Sequence, residues 1–319
     1  MTPLVSICLP ASRDRPSLRV AIDSVLAQDH SDLEVVVTDD SGGALEATVA
    51  DADDPRVRYH ANEQRLGLVA NHQAALNLAR GRYLGFLHDD DRFLPGYVSR
   101  MVGQLEADPS LGVVFSDCWI DHGTPPWTRR GIAFPNGRYE RFLPYVIRFP
   151  YFIPSTTMMR REVWVGSPRA WPDLVVGDLA MYVYAAEAGW PFFYLDEPLV
   201  VYRQHPEQIG FDAARQRDHS VRFWDAMHFA DPEAEGLRTQ KLAHWLIARA
   251  GVRLKDGDAD GAKDDLARAQ GLAPDLERGR RVSLRLLARA PVLVAPANRL
   301  WRQFRPRRRA LPLDVDESR

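Results

Sequence analysis

The chain has 319 residues, of which 45% are hydrophobic and 26% charged, and a formal net charge of −2. That composition excludes wholesale disorder, and no apolar run approaches the ~18 residues that cross a bilayer. Two cysteines, Cys8 and Cys118, are too few for a disulfide framework or a four-cysteine metal site, so a reducing compartment is expected.

The opening MTPLVSICLP has no basic n-region and no cleavable apolar core, so no signal peptide and a cytoplasmic location are expected. The charge is unevenly spread. Residues 278–309 hold eleven arginines and no acid or lysine, which leaves −13 for the rest of the chain. A basic tail on an acidic body signals an anionic partner, membrane lipid or polyanion, or else a solvated and partly disordered terminus.

Residues 4–9 are a short apolar run ending at Pro10, the pattern of a buried strand. Residues 18–28, LRVAIDSVLAQ, set Leu18, Ala21, Ile22, Val25 and Leu26 at helical spacing. A second strand over 33–38, LEVVVT, closes in the turn Asp39-Asp40-Ser41-Gly42-Gly43. Strands over 57–60 and 83–87 flank a helix over 69–79, stopped at Arg80-Gly81. The last of these strands runs into His88-Asp89-Asp90-Asp91.

This repetition predicts an α/β fold, a parallel sheet with helices on both faces, in which ligands bind beyond the carboxyl ends of the strands. Both acidic clusters fall there, which suggests one shared crevice.

Further on, a helix is predicted over 97–108, a strand over 113–116, and an irregular region over 121–150 above the site. Strands over 151–159 and 192–195 flank a helix over 179–188. Beyond Gln208 the pattern is helical only. Residues 242–254 and 259–272 read as a hairpin joined by Asp256-Gly257-Asp258, whose second half resembles half of a tetratricopeptide-type repeat or a plain helical cap. The expected division is a catalytic domain over 1–210, a helical extension over 211–277 and the basic tail over 278–319.

Four segments carry candidate chemistry. FLHDDDRFLPG, residues 86–96, puts three aspartates at the mouth of a buried strand, where they repel one another unless a cation sits there. Such hard oxygen ligands suit Mg²⁺ or Mn²⁺, which complete their shells with water and substrate phosphates; a solvated turn capping the next helix is the alternative. In VVVTDDSGG, residues 35–43, a strand-end aspartate can accept from a ribose or base, or form an Asx turn. Asp178, after Gly177 at the start of an apolar helix, can cap that helix or act as a general base. LVVYRQH, residues 199–205, sets Arg203 and His205 on one face of an extended segment, as a strand edge or as a cation and imidazole facing a diphosphate. There is neither a G-x-G-x-x-G after the first strand nor a G-x-x-x-x-G-K-[ST] anywhere, so dinucleotide and P-loop readings lack support.

In this order and spacing the chain resembles an inverting glycosyltransferase of family 2 with the GT-A fold. The resemblance runs from about Val5 to His205 through VSICLPASRDRP, QDHSDLEVVVTDDSGG, ANEQRLGLVANHQAALNLARGRYLGFLHDDDRFLPGY, the Gly-Asp helix and EPLVVYRQH. It implies that Pro10, Ala11 and Ser12 line a nucleotide pocket beside Arg13 or Arg15, Arg15 being taken as the contact. Asp40 would bond the base, Asn71 and His72 would lie near base or diphosphate, and Asp89 would approach the ribose or metal. Asp90 would ligate the metal, His205 would face the diphosphate or metal, and Asp178 would be the catalytic base.

The sequence departs from the family pattern at His88, where the usual first Asp stands, at His72, where many members carry Arg, and in one extra residue in PASRDRP. The implied cofactor is Mg²⁺ or Mn²⁺, the implied donor a nucleotide sugar, uridine diphosphate sugars being the family's commonest, and the acceptor a glycan or lipid-linked hydroxyl.

No nucleic-acid partner is expected. Residues 282–301 mix Leu, Val and Trp with Arg, the composition of an interfacial segment at an anionic membrane surface, which would make the protein peripheral at the inner face of the membrane. Two other functions fit part of the pattern. A sugar-phosphate nucleotidyltransferase would use the same crevice, but PASRDRP lacks the Gly-rich loop such enzymes carry. A non-catalytic nucleotide-sugar binding module would not need Asp90, Asp178 and His205 together.

Overall fold

Strand β1 (Val5–Ala11) is buried along its whole length, as its mostly apolar run, interrupted at Ser6, requires of a strand covered on both faces. It pairs in parallel with β2 (Leu33–Asp39) along all seven residues, and β2 pairs in parallel with β3 (Val57–Ala61). On its other side β1 pairs with β4 (Tyr83–Phe86), but only as far as Cys8 opposite Phe86. The Cys8 carbonyl accepts from Leu87 N, so the even positions of β1 point toward β4. Pro10 has no N–H to offer on that side, and none is needed because β4 has already ended. The sheet therefore parts beyond Cys8, and the two acidic turns lie on either side of the gap.

The computed structural model describes residues 4–289, except 133, 150–151, 168–170, 206–207 and 209–211. The chain divides into two compact units, Met1–Gln208 and Ile209–Arg319. In the first, helix α1 (Pro16–Leu26) follows β1, α2 (Glu46–Ala50) follows β2, α3 (Leu68–Leu78) follows β3, and the two-residue β5 (Arg92–Phe93) leads into α4 (Tyr97–Ala107). Then come β6 (Val113–Asp121), β7 (Thr128–Arg129), β8 (Gly137–Tyr139), α5 (Leu143–Arg148), a 3-10 turn (Pro154–Thr156), β9 (Thr157–Arg160), α6 (Arg161–Val165), α7 (Leu179–Glu187) and β10 (Phe192–Arg203).

The ten strands among the described residues form one sheet, ordered β3-β2-β1-β4-β9-β6-β10-β5, with β7 on β6 and β8 on β10. The expected parallel sheet holds for β3-β2-β1-β4 and for β6-β10, but β9 is inserted antiparallel between β4 and β6. One face is covered by α1 and α4, whose Leu18, Ile22, Val25, Tyr97, Met101 and Leu105 join Ile7, Leu9, Val35, Val37 and Val114 in one buried cluster.

The other face carries a cluster that the sequence leaves as an irregular region over 121–150. Phe142 of the α5 turn stacks on Phe192 with ring centroids 4.2 Å apart, and Phe115 meets Phe142, Phe152 and Tyr194 within 5.1–5.4 Å. Aromatic burial organises this segment where hydrophobic periodicity is silent. The strand expected over 151–159 is replaced by the 3-10 turn and β9, and those expected at 192–195 and 199–205 merge into the single strand β10, with His205 just beyond it.

In the second unit, α8 (Ala213–Ala226), α9 (Pro232–Lys255) and α10 (Ala259–Leu272) are each capped by an aspartate. Asp212 accepts from Ala214 N and Arg215 N, Asp231 from Glu233 N, and Asp258 from Gly261 N. The hairpin expected from Leu242 is present, but α9 starts ten residues earlier, because the Asp231 cap and Pro232 begin a helix before its apolar spacing does. Arg249 ties the helices together, bonding Asp218 of α8 at 2.7 Å and the buried Asp265 of α10 at 2.7 and 3.0 Å. The first twelve residues of the basic tail are helix α11 (Arg278–Arg289), and the rest, 290–319, lie outside the described residues. Among the described residues no helix is long and apolar enough to cross a membrane.

The glycine between α3 and β4 shows how tightly the base of the sheet closes. A Cβ on Gly81 would stand 2.5 Å from Ser6 N and 2.8 Å from Ser6 Oγ, while Gly81 N donates to that same Oγ at 2.7 Å. Gly81→Ala is expected to destabilise the protein by about 2–3 kcal/mol, read as a lowered urea midpoint at unchanged m value.

Candidate functional site

The crevice is built from the carboxyl ends of β1, β2 and β4. On the β2 side, Asp39 is fully buried and accepts from Ser41 N at 2.6 Å, Leu45 N at 3.2 Å and Tyr59 Oη at 2.7 Å. Burial alone would raise its carboxyl, but these donors hold it below the usual range. Asp40 faces the other way: its carboxylate accepts from Leu66 N at 2.6 Å, Gly67 N at 2.9 Å and Asn62 Nδ2 at 3.1 Å. It thus anchors the 62–67 loop over a cavity of about 410 Å³, lined by Ser12, Arg13, Asp40, Ser41, Asn62 and Arg65 among others.

Asn71 is buried under the same corner. Its Nδ2 donates to Ala11 O at 3.1 Å and Thr38 O at 3.3 Å, and its Oδ1 accepts from Asn62. Asn71 therefore laces β1 to β2, and Ala11 contributes its carbonyl to that lacing rather than a side chain to the cavity.

On the β4 side the three aspartates separate by environment. Asp91 is 2% exposed, and Ser155 Oγ donates to its Oδ2 at 2.5 Å while Arg203 N donates to its Oδ1 at 3.0 Å. Burial and the neighbouring Asp90 still push its carboxyl well above the usual range. Asp89 is pushed up to about 6 by burial and by Asp90, against the pull of Arg15 and His205. Asp90 Oδ2 meets His205 Nε2 at 2.9 Å, and that nitrogen lies 3.2 Å from Arg15 Nη1. Gln208 Nε2 reaches Asp90 at 3.4 Å.

Behind this loop, His72 Nε2 lies 3.2 Å from His88 Nε2, and His72 Nδ1 lies 2.7 Å from Leu68 O. Burial, then the adjacent His88, lower the His72 imidazole to about 3, so this ring is neutral at physiological pH. Among the described residues, His88, Asp90 and Asp91 form the one group whose ligand atoms all lie within 4.8 Å of one another. Carboxylate oxygens with imidazole nitrogens are a donor set that a hard divalent ion accepts, and the negative charge of Asp89 and Asp90 exceeds what Arg15 offers.

Asp178 caps α7, accepting from Leu179 N at 3.0 Å, and burial raises its carboxyl to about 6. Its position rests on Gly177, where a Cβ would collide with the Pro172 carbonyl and approach Val69 Cγ2 of α3 to 2.7 Å. One turn on, Tyr182 shares a 3.0 Å hydrogen bond with Thr157, two residues from the Ser155 that holds Asp91. The 154–157 segment thus links the acidic loop to the helix of Asp178.

The structure brings Asp90, His205 and Arg15 into direct contact, and groups Ala11, Asp40 and Asn71 at the cavity corner. It separates the two candidate arginines: Arg13 lines the cavity, and Arg15 stands over the Asp90–His205 pair. Ser12 lines the cavity, whereas Pro10 ends the β1 ladder. Sequence reasoning missed Ser155 and the 62–67 loop. Both act through partners more than 20 residues away, and no local pattern marks them.

A family model described as glycosyl transferase family 2 matches residues 6–164, and the chain belongs to that family. An uncharacterised Mycobacterium tuberculosis protein, MT1568, is 33% identical over 178 residues, which is 53% of this chain and 52% of that one. The chain spans about half the length of the curated relatives it matches. Among solved structures, TarS 1-349 of S. aureus in complex with UDP-GlcNAc aligns over 95% of this chain and 93% of that one, with TM-score 0.71 and 16% identity. The mannosyltransferase PcManGT of Pyrobaculum calidifontis, in complex with GDP-Man and Mn²⁺, aligns over 95% and 88% with TM-score 0.56 and 20% identity. These likenesses establish the GT-A fold.

Gly177→Ala tests the seat of Asp178. It is expected to destabilise the protein by about 1–3 kcal/mol, read as a lowered urea midpoint at unchanged m value, because the added Cβ collides with the Pro172 carbonyl.

Proposed function

We propose that the chain transfers a sugar from a nucleoside-diphosphate donor to an acceptor hydroxyl, with inversion at the anomeric carbon, in glycan, polysaccharide or glycolipid assembly. The observation that carries this reading is the Arg15–His205–Asp90 string at the end of β4, reached from the same loop after β1 whose Ser12 and Arg13 line the cavity at Asp40. The cavity is the size of a nucleoside and is bordered by Arg13 and by hydrogen-bonding groups of Ser12, Asp40 and Asn62. The bound UDP-sugar and GDP-sugar of the two structural neighbours support a nucleotide donor, and the Mn²⁺ of one supports a divalent ion.

The fitting residues for Mg²⁺ or Mn²⁺ are Asp90 with His205, and His88 or Asp91 beside them. When bound, the ion would neutralise negative charge gathering on the diphosphate. Arg15 and His205 would orient the diphosphate oxygens from the protein side. Asp178 would accept the proton of the acceptor hydroxyl as its oxygen bonds to the anomeric carbon. The bond from that carbon to the phosphate oxygen breaks, and the nucleoside diphosphate leaves from the opposite face. One displacement inverts the centre and needs no protein nucleophile. A carboxyl raised to about 6 is ionised at neutral pH yet basic enough to take this proton.

Asp178→Asn is expected to reduce transfer by at least about 1,000-fold while calorimetric UDP affinity changes less than about threefold. Loss of both together would make Asp178 a folding or binding residue. The wild-type rate should fall as pH drops below about 6, where Asp178 takes up its proton. The folded state binds that proton more tightly than the unfolded chain. The stabilisation from it is therefore full below the usual value of 3.8 and is lost as pH rises through about 6. Asp178→Asn removes that loss and should raise stability at pH 8 by about 1–3 kcal/mol, seen in a denaturant titration.

Asp90→Ala should abolish the Mn²⁺-dependent part of UDP binding. Full transfer by that variant in chelator would overturn the metal assignment, and release of pyrophosphate instead of nucleoside diphosphate would overturn the reaction class.

A further inference from the structure

Helix α11 has two unlike sides. Arg281 and Ala288 are buried, and Arg281 Nη1 donates to Ala273 O at 3.1 Å and Nη2 to Pro274 O, at the end of α10. A separate side presents Arg278, Val282, Leu286 and Arg289, all exposed, on an arc of roughly 80°. Val282 is 50% and Leu286 61% exposed, two adjacent aliphatics one turn apart, and few other large apolar side chains are exposed among the described residues. The helix holds five arginines and no acid. Six more arginines follow within 290–309, after the apolar run Pro291-Val292-Leu293-Val294.

We propose that this face of α11 docks on an anionic lipid bilayer, with Val282 and Leu286 entering the acyl boundary and Arg278 and Arg289 meeting lipid phosphates. The charge pattern selects this occupant. A second copy of the chain would set arginine against arginine, and water alone would leave two large aliphatics exposed between cations. A short helix with apolar residues central and arginines at the rim is the form of an interfacial anchor, whose affinity combines buried apolar area with attraction to anionic headgroups. The proposal stands on α11 alone and is independent of the glycosyl-transfer reading.

The test is flotation of the full chain with vesicles of phosphatidylcholine alone or with about 30% phosphatidylglycerol, at low and high salt. Wild type is expected to float with the anionic vesicles only, and to be released by salt. Arg278→Ser with Arg289→Ser should weaken partitioning by about 25-fold, at about fivefold per arginine. Val282→Asn with Leu286→Asn should weaken it at least about tenfold. UDP affinity and thermal melts of both variants should match wild type.

Leu286→Trp gives an independent readout, a blue shift of indole emission on anionic vesicles. No blue shift, or equal flotation with neutral vesicles, overturns the proposal. So does wild-type partitioning of both α11 variants while Arg299→Ser with Arg302→Ser and Arg305→Ser detach the chain. If light scattering shows that the α11 variants dissociate a dimer and none of the proteins floats, a second copy is the occupant and the proposal is likewise overturned.

Discussion

The governing constraint is negative charge concentrated where the sheet parts. Five aspartates, Asp39, Asp40, Asp89, Asp90 and Asp91, lie at the ends of β2 and β4. A buried carboxylate without donors is costly, so each must find partners or keep its proton. Asp39, Asp40 and Asp91 find theirs within the protein, mostly in backbone N–H groups of loops they thereby fix in place. Among the described residues, Asp89 and Asp90 have Arg15, His205 and Gln208 as their cationic or donating neighbours, with His88 and Asp91 close beside Asp90. The fold has satisfied the acids that shape the crevice and left the other two facing it.

That division explains why the acidic clusters are duplicated. The first member of the β2 pair and the last member of the β4 triplet act as struts. Asp39 closes the turn toward α2, and Asp91 ties the acidic loop to both Ser155 and the end of β10. Their neighbours turn elsewhere, Asp40 to the 62–67 loop and Asp90 to His205, because successive side chains diverge at a strand end. Ser155 has a second task, accepting from His88 N, so the loop is gripped at two points by one hydroxyl. The same 154–157 segment reaches Tyr182 through Thr157, which couples the acidic loop and the Asp178 helix to a single short element.

The second unit follows a different logic. Three of its helices are started by aspartate caps, and arginine–aspartate bonds around Arg249 join them beside an apolar core that includes Phe223, Trp224, Leu246, Ile247 and Leu266. Arg281, buried among carbonyls, shows the same preference for arginine as a structural cross-link. Helix α11 carries that chemistry to the surface, where its arginines flank Val282 and Leu286, both exposed among the described residues.

The sequence by itself determined the β-α alternation of the first ninety residues, the acidic turns, and the family motifs, because these are local: a run of apolar residues, a turn composition, an order of short segments. It also marked Asp178 as both cap and candidate base, roles compatible at one helix start. Tertiary structure alone decided the rest. It inserted β9 antiparallel, gathered the aromatics of 115–152 and 192–194 into a cluster, and sent Arg13 to the cavity but Arg15 to His205. It also assigned Ser155 to Asp91 across 64 residues. Those outcomes depend on which groups meet after the chain has folded back on itself, and neither periodicity nor spacing records the free energy of contacts between distant segments.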